Sequence, residues 1–149
     1  MTTAATTYAS SPDARRTQYE PSVVSRRARV GANFMGGVAV LFLLFDATIK
    51  LAVIDPVVQS MQQLGWPVTL APTIGIIELC CLALYLVPRT SVLGALLLTG
   101  YLGGAVATHL RIGSPLPSHT LFPIYVALML WGAIWLRDVR LRALVPFRR

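Results

Sequence analysis

The chain has 149 residues, of which 55% are hydrophobic and 13% charged, with a formal net charge of +7. Soluble domains are about 45–50% apolar and about 25% charged, so a mean hydropathy of +0.65 excludes an ordinary soluble domain. The positive charge does not point to nucleic acid, because no basic face alternates with exposed aromatics; it suits arginines that hold loops on one side of a lipid bilayer.

Residues 1–29 are rich in Thr, Ser, Ala and Arg and cannot bury enough apolar surface to fold alone, which predicts a disordered basic tail. The tail is too long and polar for a cleaved secretory signal, and Arg15-Arg16 lacks the context of a twin-arginine signal. Four apolar segments follow, at about 30–51, 68–87, 91–110 and 120–137. Each is near the ~20 residues that carry a helix across ~30 Å of hydrocarbon. The first ends with Asp46 and Lys50, four apart on one helical face, and Asp55-Pro56 then stops it. Residues 56–64 (PVVQSMQQL) are too polar to cross and suit the interface, as does Trp66.

The second segment ends at Pro88, and the tight Pro88-Arg89-Thr90 turn makes it an antiparallel hairpin with the third. Within the third, Gly100 and Gly104 form a GxxxG pair; a homo-oligomer through them and packing within one chain are both expectations. Residues 111–119 (RIGSPLPSH) form a polar loop. The fourth segment carries Trp131 and Trp135, and a basic amphipathic tail occupies 138–149. The expected fold is therefore all-α, an antiparallel transmembrane four-helix bundle in a single domain. The N-terminal tail, the turn at Arg89 and the C-terminal tail hold 11 of the 13 basic residues. That asymmetry predicts both termini in the cytoplasm, with Lys50 and Arg111 on the opposite side.

Candidate chemistry follows from polar groups inside the spans. An ionised acid at a helix centre costs about 2.5–3.5 kcal/mol on insertion scales, so Glu78, near a span's middle, is protonated, paired or wetted. Lys50 is one turn from Asp46. Tyr101, Thr108, His109 and Arg111 follow along the third span, Tyr101 and Thr108 on one face. The sequence thus predicts a polar cavity in the outer half of the bilayer, with Asp46, Lys50, Glu78, Tyr101, Thr108, His109 and Arg111 as ligand-binding candidates. A purely structural cluster that fixes helix register is the competing expectation. Cys80 and Cys81 are the only cysteines. Adjacent in an apolar helix, they suit neither a disulfide nor a metal, and read as small packing residues. No metal site, nucleophile elbow or phosphate loop is present.

The stretches LFLLFDATIKL (41–51), LGWP (64–67), GIIELCCLALYLVPRT (75–90), LGALLLTGYLGGAVATHLRIG (93–113) and WLRDVRLRALVP (135–146) resemble the DoxX-like family of small bacterial membrane proteins. Many relatives carry a small residue where this chain has Asp46. The resemblance implies a four-helix protein of the bacterial plasma membrane. It implies similarity to a subunit of a membrane thiosulfate:quinone oxidoreductase and to membrane partners of thiol and oxidative-stress proteins. The functional expectation is an accessory subunit, more than a self-contained enzyme, that binds a small amphiphile such as a quinone, or a redox partner protein. A quinone-linked oxidoreductase subunit and a ligand-free assembly partner are the alternatives. A transporter is disfavoured, since inverted repeats and broken helices are not evident.

Overall fold

Hydrocarbon offers no water to a backbone amide, so an apolar span satisfies its own N–H and C=O groups as a helix. The computed structural model describes residues 25–138 and 141, and all regular structure among them is helical. Helix α1 spans Arg26–Ala52, α2 Asp55–Gln63, α3 Ala71–Leu86, α4 Ser91–Arg111 and α5 Phe122–Arg137. A 3-10 turn, Val68–Leu70, leads into α3, and a wide helical turn, Leu116–Thr120, leads into α5. With those turns included, α1, α3, α4 and α5 are each long and apolar enough to cross a membrane. The N-terminal tail expectation falls mostly, and the C-terminal one largely, outside the described residues. Helix α1 begins at Arg26, ahead of the apolar run, because the Ser25 hydroxyl accepts from the Ala28 amide at 3.3 Å and caps it.

The spans alternate in direction. Helix α1 packs on α3 and α5, α3 on α4, and α4 on α5, which closes an antiparallel ring of four. The inward stripes are spaced by three and four residues: Ala32, Gly36, Ala39, Leu43 and Ala47 on α1, and Ala71, Gly75, Glu78, Leu82 and Tyr85 on α3. Many of these residues are small, as bundles in lipid require for close backbone approach. Leu43, Leu98 and Leu130 fill the centre. Only 22% to 33% of the residues in the most apolar stretch of each span are buried. Phe34, Leu41, Phe45 and Leu128 face outward, an arrangement stable only against an apolar surround.

Two local features set the geometry. A Cβ on Gly94 would lie 2.2 Å from the Tyr85 amide nitrogen, so only glycine lets α4 close against α3. The same hairpin is pinned by the Thr90 hydroxyl, which donates to the Leu84 carbonyl at 2.8 Å. Gly100 and Gly104 play no such part. A Cβ at either, or at Gly103, would meet nothing within 4 Å, so packing within the chain does not use the GxxxG pair. Helix α2 buries Val57 and Met61 against Ala71, after a break at Val53, whose left-handed φ of 49° ends α1.

Candidate functional site

Lys50 stands three positions beyond Ala47 and so continues the inward stripe of α1. Side chains on a helix lean toward its N-terminus, so the Lys50 arm runs from near the end of α1 back toward the bilayer interior. Gly75 brings α3 against α1 at this level: a Cβ there would lie 3.0 Å from the Ala47 carbonyl oxygen and 3.1 Å from Lys50 Cβ. Glu78, one turn deeper on the same face, then meets the ammonium.

Lys50 Nζ donates to Asp46 Oδ2, to Glu78 Oε2 at 2.9 Å and to the Tyr101 hydroxyl at 2.7 Å. The Tyr101 hydroxyl in turn donates to Glu78 Oε2 at 2.8 Å. One ammonium thus sits between two carboxylates and a phenol drawn from α1, α3 and α4. Lys50 and Tyr101 come from helices diagonal in the ring, so the cluster crosses the bundle's interior. All three ammonium donors are engaged. The Glu78 side chain has 0% exposure, whereas Asp46 and Lys50 retain 29% and 19%, so the cluster is open on the α1 side. Glu78 Oε1 is buried and has no hydrogen-bond partner among the described residues.

The other sequence candidates lie elsewhere. Thr108 shares the Tyr101 face, but seven residues of helix separate them by about 10 Å; its hydroxyl returns to the Gly104 carbonyl at 2.9 Å. The His109 Nδ1 is 3.1 Å from the Ser114 hydroxyl, and its ring centroid is 6.0 Å from that of His119. Arg111 donates to the Leu64 carbonyl and so ties the end of α4 to the loop after α2. The expectation that seven residues share one site therefore divides: four meet, Thr108 bonds back to its own helix, and His109 and Arg111 serve the loops at the end of the bundle. Hydropathy places polar groups by depth only roughly, and a lysine arm spans one helical turn but not two.

The cavities also differ from expectation. One of about 500 Å³ lies at the opposite, arginine-rich end, lined by residues that include Asn33, Gly37, Tyr85, Ser91 and Arg137. A second, of about 180 Å³, is an apolar groove between α4 and α5 beside Gly103. Neither is lined by Asp46, Lys50, Glu78 or Tyr101. Sequence reasoning missed Gly75 as the residue that positions the cluster; a small residue one turn before an intramembrane acid was the available signal. Among the described residues, no three or more His, Cys, Asp and Glu side chains gather as a metal site would require. Cys80 is exposed, Cys81 is buried, and both are free.

A model of the DoxX-like family matches residues 34–133. The chain belongs to the DoxX-like family. The match opens within α1 and closes within α5, so it takes in all four residues of the cluster. No curated protein and no solved structure matches the chain. The chemistry of this DoxX-like, multi-pass membrane protein therefore rests on its own side chains.

Proposed function

We propose that this protein is an accessory subunit of a bacterial plasma-membrane assembly that holds the polar head of a small amphiphile against Glu78. The observation that carries the reading is the orphan oxygen: Glu78 Oε1 is buried without a donor, and such an acceptor costs about 1–3 kcal/mol until one arrives. The cluster therefore selects a hydrogen-bond donor. An oxidised quinone brings only carbonyl acceptors, and the Lys50 donors are already engaged. A reduced quinone, or another hydroxyl-bearing amphiphile, brings the donor that Oε1 lacks. The partial exposure of Asp46 and Lys50 marks the side of entry. The arginine-rich end faces the cytoplasm in this reading, by the positive-inside rule, and a second copy packs on the outward glycines of α4.

The test compares a short-chain quinol with its quinone on protein purified in bicelles. Quinol at a hundred times its Kd raises stability by about 2.7 kcal/mol, and the quinone raises it less. Glu78→Gln, which turns the accepting oxygen into an amide donor or leaves it unpaired, abolishes the difference. Equal stabilisation of wild type and Glu78→Gln overturns the proposal. One observation favours a second reading. The saturated Lys50 donors span three helices, as a register lock would, and on that reading Glu78→Gln lowers stability without changing ligand retention.

A further inference from the structure

The cavity of about 500 Å³ lies at the far end from the Lys50 cluster, where α1 and α4 begin and α3 and α5 end. Its size falls within the range of small-molecule sites. Its lining is divided by chemistry. Val40 and Ile134 contribute apolar wall, while Asn33, Ser91, Arg137 and one acid, Asp138, contribute polar groups. Such a division fits an amphiphile, and helix ends lie at headgroup depth in a bilayer.

Three observations bear on the charge of the group this cavity would hold, and they outweigh the single carboxylate of Asp138 on its wall. A guanidinium carries five N–H donors in a fork that matches phosphate oxygens, and Arg137, on the cavity wall, makes a long 3.4 Å hydrogen bond to the Ala32 carbonyl. Helix α4 starts at Ser91 on the same wall with no side chain capping its first turn, because the Thr90 hydroxyl is committed to the Leu84 carbonyl. The uncapped amides present the positive end of a 21-residue helix. Finally, Arg26, Arg27, Arg29 and Arg89 lie at this end with Arg137, against a single described acid, Asp138. We infer that this cavity is a binding site for a phosphate-bearing anion, carried by an anionic phospholipid headgroup or free in solution.

Gly37 makes the proposal testable without disturbing charge. It lines the cavity, and a Cβ on it would meet nothing within 4 Å, so Gly37→Leu fills the space while α1 keeps its packing. The full-length protein is reconstituted with equal phosphatidylglycerol and phosphatidylcholine, and lipid retention is read by native mass spectrometry, with inorganic phosphate added in a parallel arm. Wild type retains one phosphatidylglycerol per chain in preference to phosphatidylcholine. Arg137→Gln and Gly37→Leu each weaken that preference about fivefold. Retention that survives excess phosphate assigns the site to the lipid. Phosphate binding without a lipid preference, lost in both variants, assigns it to the free anion. No preference and no phosphate binding in wild type, or full retention in both variants, overturns the inference.

Discussion

Replacing Lys50 with methionine removes the ammonium but keeps most of the side-chain volume, so cavity costs are small. Glu78 keeps its 0% exposure and is left with the Tyr101 hydroxyl as its single donor. Two magnitudes compete. Interhelical hydrogen bonds in membranes average ~0.6 kcal/mol, so three of them sum to ~2 kcal/mol. Removing one partner of a buried ion pair costs ~3–5 kcal/mol, because a charge remains without compensation. The burial of Glu78 favours the larger figure, and Lys50→Met is expected to lose ~3–5 kcal/mol. Denaturant unfolding in mixed micelles, followed by circular dichroism, measures it. The double variant Lys50→Met/Glu78→Leu removes the stranded carboxylate along with the cation. It should be more stable than Lys50→Met alone, with a coupling of ~2 kcal/mol or more. A single-variant loss under ~1 kcal/mol, or strict additivity in the double, would refute the view that an interior charge pair organises this end of the bundle.

Gly75→Val pushes on the Ala47 carbonyl and on Lys50 Cβ. It should cost ~1–3 kcal/mol by overpacking and, in the same unfolding assay, remove most of the additional effect of Lys50→Met. Gly94→Ala, whose Cβ would sit 2.2 Å from a backbone nitrogen, should cost ~3 kcal/mol or more; yield of monodisperse protein by size exclusion reads this directly. Gly100→Leu with Gly104→Leu should leave monomer unfolding within ~0.5 kcal/mol while abolishing any dimer seen by cross-linking in bicelles; an unchanged dimer removes the glycine face as its interface. Single cysteines at Arg89 and Gln63, in a Cys80→Ser/Cys81→Ser background, should differ in labelling of intact cells by an impermeant thiol reagent. Labelling at Gln63 and protection at Arg89 fit a cytoplasmic arginine end, and the reverse pattern inverts the orientation.

Four membrane-crossing helices are legible in the chain before any coordinates. Span length, low charge and the Pro-Arg-Thr turn express local physics: hydrocarbon forces each backbone to satisfy itself. The sequence also marked Asp46, Lys50 and Glu78 as costly groups that need partners. Which face of each helix turns inward was harder to read, because lipid makes the outward face apolar too and hydropathy alone does not separate them. The better signal was the spacing of small residues, Ala32-Gly36-Ala39 and Ala71-Gly75, which continues to Lys50 and Glu78. That Tyr101 reaches Glu78 while Thr108, His109 and Arg111 do not follows from the packed bundle alone. That choice depends on a helix rise of 1.5 Å per residue and on the close α1–α3 approach at Gly75. The arginine-end cavity was likewise invisible in the chain, since its walls come from four helices whose contributions lie up to about a hundred residues apart.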